Sequence, residues 1–172
     1  MSIVTKRGDS GKTSLLYGVR VSKDHPKVEL NGALDELSSF LGMAKALIKD
    51  KTVQKVLQAI QKDLVFVSAE IATPLQFLKR LKKRMNSCHV ASLEKNIAKL
   101  EAGQEAKNFC FSLPGQNLLS SCLDVSRTIA RRAERRAVTL NKRKLLKNSS
   151  ILVYLNRLSD LLYLLARRSE KR

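Results

Sequence analysis

The sequence predicts an all-α protein: a five-helix antiparallel bundle preceded by an irregular, glycine-rich N-terminal segment. Three observations lead to this prediction. Apolar residues recur at spacings of three and four in five segments, the connections between those segments are short, and strand-like alternation is almost absent. With 172 residues, 44% of them hydrophobic, the chain suits one domain over residues 1–172 that buries a real core.

Residues 1–28 form the glycine-rich segment, where we expect irregular structure because glycine and the closing Pro26 favour turns. The stretch Gly8–Thr13 reads GDSGKT and looks like the end of a P-loop. However, Lys6 occupies the position of the first P-loop glycine, and no strongly apolar strand precedes it. The segment still suits phosphate, because glycine exposes backbone N–H groups beside lysines and hydroxyls. A flexible basic tail would explain the same composition.

The five helices are predicted from their apolar stripes. They are placed at residues 29–49, 52–73, 88–101, 116–141 and from 150 onward. The second ends before Pro74, which cannot continue a helix. Two basic runs, 79–84 and 142–147, lie in the connections after the second and fourth helices.

The fourth helix carries five arginines and one glutamate within residues 127–136. At about 100° per residue, one arc holds Arg127, Arg131, Glu134 and Arg135. The opposite arc is expected to face the core and holds Val125, Ile129, Ala133, Ala137 and Leu140, with Leu118 and Cys122 if the helix begins that early. Arg132 and Arg136 lie at the edge of the apolar arc. The basic arc is either a solvated face or a polyanion site, since guanidinium forks match phosphate oxygens in geometry and charge.

Composition limits the classes of function. The net charge of +18 and pI near 10.2 favour anionic partners. Three cysteines without CxxC spacing favour free thiols in the cytoplasm over a disulfide framework or a zinc site. No apolar run approaches twenty residues and no apolar signal segment is present, so we expect a soluble, unexported protein without a membrane partner.

Four further residues have a simple structural interpretation. Asn156 and Asp160, in YLNRLSDLL, share a helix face that could simply be the solvent-exposed face of a leucine-rich helix. Asp35, in ALDELSS, is most simply a surface carboxylate, and Phe111, in FSLPG, is most simply a core residue or a hydrophobic staple ahead of the fourth helix.

Six motifs together resemble the ATP:cob(I)alamin adenosyltransferases of the propanediol-utilisation type. They are TKRGDSGKTSL, GVRVSKDHPKVE, NGALDELSSFLG, FSLPG, SRTIARRAERR and YLNRLSDLLYLLAR. Each is weakly specific alone, whereas six in the family's order with compatible spacing are strongly specific. They cover the chain nearly end to end.

The resemblance implies a five-helix bundle that assembles as a homotrimer with ATP bound between neighbouring subunits. It implies transfer of the 5′-deoxyadenosyl group of ATP to the cobalt of cob(I)alamin, giving adenosylcobalamin and triphosphate. ATP would be the co-substrate, cobalamin the substrate and Mg²⁺ a cofactor. An electron-donating reductase and an adenosylcobalamin-dependent enzyme would be partners.

The resemblance also implies site residues, by motif position. ATP would contact Thr5, Lys6, Arg7, Gly8, Thr13, Ser14 and Lys23 near the N-terminus, and Arg131, Arg132, Ala133, Glu134, Arg135 and Asn156 in the last two helices. Asp35 and Arg127 match an ion pair across the subunit interface, and Phe111 matches the aromatic that keeps an axial ligand off cobalt. The catalytic set is thus Arg127, Arg131, Asp35 and Phe111, and no metal ligand is assigned.

The chain departs from the family pattern in three places. Arg7 replaces a threonine. Gln116 and Asn117 replace a Gly-Ser pair beside the corrin, where the turn could be tighter. The two basic runs lie outside the six motifs. The alternative function is that of a basic helical nucleic-acid-binding protein, supported by the charge and the basic runs. That alternative lacks aromatic stacking positions and a helix-turn-helix pattern.

Overall fold

The fold is a helical bundle with a small N-terminal hairpin. The computed structural model describes residue 4, residues 6–102 and residues 113–170. Within these ranges the long helices are α1 Pro26–Leu47, α2 Lys51–Ala72, α3 Ser87–Ala102, α4 Leu118–Lys142 and α5 Ser149–Ser169. Short 3-10 turns lie at Leu16–Gly18 and Leu75–Arg80. The predicted all-α five-helix bundle is confirmed, and every helix of it is found within about three residues of its expected bounds.

Side-chain caps set where the helices begin. Pro26 opens α1, and the preceding His25 accepts a hydrogen bond through Nδ1 from a backbone N–H of the first turn. Asp50 caps α2, Asn117 caps α4 and Asn148 caps α5, each through a side-chain oxygen. These oxygens satisfy N–H groups that have no partner within the helix itself.

The N-terminal segment, which was expected to be irregular, contains a small two-stranded antiparallel sheet beside its turns. Strand β1, Lys12–Ser14, pairs with β2, Arg20–Ser22, and Thr13 lies opposite Val21. The chain reverses through Tyr17, which has a φ of 62°. Strands of three residues are too short to show a period of two in the sequence, so the pattern could not predict them.

Helix α4 is the centre of the bundle. It packs against both α1 and α5, while α2 packs against α1 and α3 against α5. Leucine dominates the core, and Tyr154 of α5 is its largest fully buried side chain. Within the described ranges, no helix is both long enough and apolar enough to span a bilayer.

The inner face of α4 largely follows the predicted arc. Buried positions on it include Cys122, Ile129, Ala133, Ala137 and Leu140. Val125 and Leu118 were expected on this face, but they are 39% and 65% exposed. Within the described chain α4 packs mainly against α1 and α5, so a residue turned away from both helices, or placed at the first helical position, faces solvent.

Candidate functional site

A cavity of about 320 Å³ lies between α4 and α5, and we call it the α4–α5 cavity. Its lining consists of Arg131, Glu134, Arg135, Val138 and Asn156. Three of these residues belong to the polar arc predicted for α4, and Asn156 comes from the second turn of α5. The structure therefore brings four of the residues predicted to bind ATP to one place.

The charges in this cavity suit an anion. In the part of the chain that is described, the Arg131 and Arg135 side chains have no hydrogen bond or ion pair, and both residues are exposed. Glu134 is engaged, because its Oε1 accepts a hydrogen bond of 3.1 Å from Asn156 Nδ2. Two guanidinium groups are thus left to bind a ligand, beside a carboxylate that the protein holds in place.

Arg157 is a neighbour of the cavity that the sequence analysis did not select. Its Nη1 donates to Asn156 Oδ1 over 2.9 Å, and its Nε donates to Glu94 Oε1 over 3.2 Å. The signal that could have found it was its place directly after Asn156 in the YLNRLSD motif.

The two predicted ATP residues Arg132 and Ala133 do not line the α4–α5 cavity. Arg132 makes an ion pair with Glu36 of α1, and Ala133 is fully buried in the core. Arg136, also at the edge of the arc, bonds Glu29 of α1 at 2.8 Å. The two arginines at the edge of the arc therefore connect α4 to α1, because their angular position on α4 directs them toward that helix.

The N-terminal residues form a second group. Consecutive turns shape the loop, with Asp9 N donating to Lys6 O and Gly11 N donating to Gly8 O. The ammonium of Lys23 lies over this loop, since a Cβ placed on Gly8 would come within 3.3 Å of Lys23 Nζ. The structure thus brings the predicted residues Gly8 and Lys23 together.

Arg20 holds this loop on the hairpin and was missed by the sequence analysis. Its Nη2 donates to Arg7 O over 2.7 Å and its Nη1 to Ser14 Oγ over 3.3 Å. The predicted residue Thr13 lies on the same strand as Ser14, whereas Thr5 lies outside the described residues. None of the described residues 6–23 lines the α4–α5 cavity, so one chain presents two separate groups of predicted ATP residues.

Asp35 and Arg127 are not joined to each other within the described chain. Arg127 Nε bonds Asp124 Oδ1 at 2.9 Å, and the buried Asp124 also pairs with Arg167 of α5. Asp35 is exposed in a groove of about 400 Å³ between α1 and α2. Their predicted pairing across a subunit interface stays a prediction.

An apolar cavity of about 400 Å³ lies where α4 begins. Its lining is mainly from the ends of α1 and α5 and the start of α4: Leu47, Ile48, Lys49, Asp50, Val53, Asn117, Leu119, Leu123, Leu165, Arg168 and Ser169. Asn117 forms a capping box with Ser120 and donates through Nδ2 to Ser169 O over 2.9 Å. The departure from the family pattern at Asn117 therefore provides a helix cap. Phe111 lies outside the described residues.

The two basic runs come together at the other end of α4. The buried carboxylate of Glu70 accepts from Arg84 Nε over 3.0 Å and from Asn148 Nδ2 over 3.0 Å. Asn148 also donates to Met85 O over 2.8 Å. A polar cleft of about 520 Å³ between the runs has Lys82, Arg84 and Lys147 in its lining.

Three groups with shifted pKa values lie outside the α4–α5 cavity. Burial lowers the pKa of Lys27, whose Nζ donates to Thr73 O over 2.7 Å. Burial raises the pKa of Asp63, and burial together with the Asp63 carboxylate raises that of Tyr154. Among the described residues, no group of three or more His, Cys, Asp or Glu side chains could hold a metal ion.

The structure is a helical bundle with a cavity that two arginines line, and comparison with known proteins identifies the family. A family model described as cobalamin adenosyltransferase matches residues 3–169. The chain therefore belongs to the cobalamin adenosyltransferase family. It is 41% identical to the corrinoid adenosyltransferase PduO of Salmonella typhimurium over an alignment of 174 positions, which covers 99% of this chain and 50% of that protein. It is 38% identical to a corrinoid adenosyltransferase of Citrobacter freundii over 168 residues, which are 98% of this chain and 94% of that protein.

Solved structures agree with this assignment. A variant of the PduO-type ATP:corrinoid adenosyltransferase from Lactobacillus reuteri, complexed with cobalamin and ATP, superposes with a TM-score of 0.90 at 34% sequence identity. The match covers 99% of this chain and 91% of that one. The chain spans about half the length of the PduO relative from Salmonella. Because these relatives are adenosyltransferases, the nucleic-acid-binding alternative has no support.

Proposed function

We propose that the protein transfers the 5′-deoxyadenosyl group of ATP to the cobalt of cob(I)alamin, giving adenosylcobalamin and triphosphate. The observation that supports this most is the α4–α5 cavity. In it Arg131, Glu134, Arg135 and Asn156 occupy motif positions of the family, and both guanidinium groups lack partners within the described chain. The chain is also similar to a protein that was solved with cobalamin and ATP together.

Arg131 and Arg135 are proposed to bind the triphosphate. They are four residues apart, so they project from the same face of α4. Guanidinium groups keep their charge at any working pH and can bind phosphate oxygens in a bidentate manner. As the triphosphate departs it gains negative charge, and cations already in place stabilise that charge without reorganisation.

The proposed reaction is a displacement at carbon. The cobalt of cob(I)alamin supplies the electron pair that forms the cobalt–carbon bond to C5′ of ATP. The C5′–O5′ bond breaks, and its electron pair leaves with the triphosphate. No proton is removed from the reacting carbon, so a general base is not required. The contribution of the protein is then orientation of the two substrates and stabilisation of the leaving group.

Mg²⁺ is proposed to enter the site bound to the phosphates of ATP. Mg²⁺ commonly binds substrate phosphates with few protein ligands, and among the described residues no group of three or more His, Cys, Asp or Glu side chains could hold it alone. The residues present therefore fit an ion that is held mainly by ATP. When bound, the ion would neutralise part of the phosphate charge.

We also propose that the active assembly is a homotrimer with ATP between subunits. The N-terminal group and the α4–α5 cavity are separate in one chain, so a neighbouring subunit would bring them together. Val65, in the groove that contains Asp35, is 63% exposed. An exposed apolar side chain beside a carboxylate suits a surface that another subunit covers, where Asp35 would meet the partner's Arg127.

Cobalamin is proposed to bind toward the start of α4. The apolar cavity there contains Leu119, Leu123 and Leu165 and adjoins the segment that follows Phe111. Leu123 and Arg131 are eight residues apart on α4, which is roughly 12 Å along the helix. An apolar surface for the corrin and a cationic cavity for the phosphates would thus lie along one helix, with Phe111 keeping an axial ligand off cobalt.

The proposed partners follow from the chemistry. Cob(I)alamin is strongly reduced, so an electron-donating reductase must supply it, and an adenosylcobalamin-dependent enzyme would use the product. A cytoplasmic location is proposed because Cys88 and Cys122 form no disulfide within the described chain.

An anaerobic assay tests the proposed function. The protein is mixed with ATP, Mg²⁺ and chemically reduced cobalamin, and the visible spectrum is followed for adenosylcobalamin. We expect a light-sensitive product and one triphosphate for each product formed. ATP binding without product would contradict the activity and point to the changes at Gln116 and Asn117 as the cause. Absence of both would contradict the nucleotide site as well.

A further inference from the structure

A chain of four polar side chains crosses three helices beside the α4–α5 cavity. Glu94 of α3 accepts from Arg157 Nε over 3.2 Å, and Arg157 Nη1 donates to Asn156 Oδ1 over 2.9 Å. Asn156 Nδ2 then donates to Glu134 Oε1 over 3.1 Å. Arg157 Nη1 also lies 3.9 Å from Asp160 Oδ2. Arg157 is thus held between two carboxylates and directed at the amide of Asn156.

These contacts permit only one orientation of the Asn156 amide. Its oxygen faces a cation and its NH₂ group faces a carboxylate. A rotation of 180° would place the NH₂ group against the guanidinium of Arg157 and the oxygen against the carboxylate of Glu134, so both hydrogen bonds would be lost. The amide keeps one N–H, and Glu134 keeps Oε2, for a ligand in the cavity.

Stability does not explain this arrangement. The Arg157 and Glu94 side chains are 40% and 51% exposed, and exposed ion pairs contribute little to folding. What Arg157 does determine is which atoms of Asn156 face the cavity.

We infer that Arg157, held by Glu94, is a positioning residue that orients the amide of Asn156 for the nucleotide. This inference rests on the proposed function. The carboxylate of Glu134 repels phosphate. The part of the α4–α5 cavity around Asn156 and Glu134 therefore faces a part of ATP that carries neutral hydrogen-bond donors. The phosphates are left to Arg131 and Arg135. Arg157 itself need not touch ATP.

A double-mutant cycle on ATP binding tests this inference. ATP affinity is measured by calorimetry for the wild type, Arg157→Gln, Asn156→Ala and the double variant. Arg157 acts on ATP only through the amide of Asn156, so its loss should cost about one neutral hydrogen bond to the nucleotide, which predicts about three- to tenfold weaker binding for Arg157→Gln. In the Asn156→Ala background the same change should have no further effect, because the group that Arg157 orients is gone. Arg157→Lys, which retains a donor, should recover part of the affinity.

Lys95→Gln is the matched control, because it removes one positive charge from an exposed residue beside Glu94. Its ATP affinity should equal that of the wild type. An equal loss for Arg157→Gln in both backgrounds, or no loss in either, would overturn the inference. So would a fall in kcat for Arg157→Gln with unchanged ATP affinity.

A second measurement does not depend on activity. In ¹⁵N-labelled protein, the two Asn156 side-chain N–H signals should be widely separated in the wild type, and in Arg157→Gln they should converge to the smaller separation of a free primary amide. Identical signals in the two proteins would overturn the inference even if the enzyme were active. Converged signals in an enzyme that forms no adenosylcobalamin would instead sustain the positioning role while contradicting the proposed function.

Discussion

Substitution of Arg131 by alanine should abolish most activity and leave the fold intact. The side chain is exposed and makes no hydrogen bond or ion pair within the described chain, so only the longer-range interactions with charges on the same helix change. Alanine is the best helix former, and removal of a cation four residues from Arg127 and Arg135 relieves repulsion of about 0.2–0.5 kcal/mol per pair. Loss of the attraction between Arg131 and Glu134, three residues further along the helix, would lower the free energy of unfolding by a similar amount. The change in the free energy of unfolding should therefore be within about 0.5 kcal/mol.

The effect on catalysis should be far larger. A hydrogen bond to a charged group contributes roughly 1.5–3 kcal/mol. If Arg131 binds the triphosphate, its loss should lower kcat/KM by about 10- to 150-fold. Much of this should be in kcat, because the charge on the leaving group grows toward the transition state.

The assay measures kcat and KM for ATP with pre-reduced cobalamin, alongside urea unfolding. Arg143→Ala is the control, since it removes an exposed arginine from the turn after the same helix. It should retain wild-type kinetics, which shows that net charge alone is not the cause. Unchanged turnover in Arg131→Ala would refute the assignment of this arginine to the phosphates. A large loss of stability would refute the statement that it is free of structural contacts.

Three further predictions concern other parts of the molecule. Phe111→Ala should slow the reaction with cob(II)alamin plus reductant more than the reaction with cob(I)alamin, and equal losses would contradict its proposed place beside cobalt. Asn117→Ala should lower the free energy of unfolding by about 1–2 kcal/mol in urea, because it removes a helix cap; an unchanged midpoint would contradict that role. Burial lowers the pKa of Lys27 below its usual 10.5, so the unfolded chain binds more protons between the two values. The stability of the wild type should therefore rise with pH through that window, and Lys27→Met should lack the rise; parallel pH profiles would show that Lys27 is not the cause.

The bundle could be predicted from the sequence because its helices are long and leucine-rich. Twenty-two residues in α1 and again in α2 repeat the helical period several times, so the pattern is redundant. The hairpin could not be predicted, because β1 and β2 each have three residues.

The cationic cavity was predictable in part. The helical period placed Arg131, Glu134 and Arg135 on one arc of α4, and in the structure they line the α4–α5 cavity. The pattern could not tell that Arg132 would pair with Glu36, because the partner is 96 residues away along the chain. Arg157 was missed for a related reason. The role proposed for it depends on the direction of its side chain toward Asn156, which spacing along α5 does not determine.

The most direct test of the central claim is to follow both ends of ATP through one reaction. ATP labelled with ¹⁴C in adenosine and with ³²P in the γ-phosphate is incubated with the protein, Mg²⁺ and cob(I)alamin. Attack of cobalt at C5′ predicts the ¹⁴C in the corrinoid and an equal amount of ³²P in unbroken triphosphate. Release of ³²P as orthophosphate, with ¹⁴C retained in ADP, would show phosphoryl transfer instead and would contradict the proposed function.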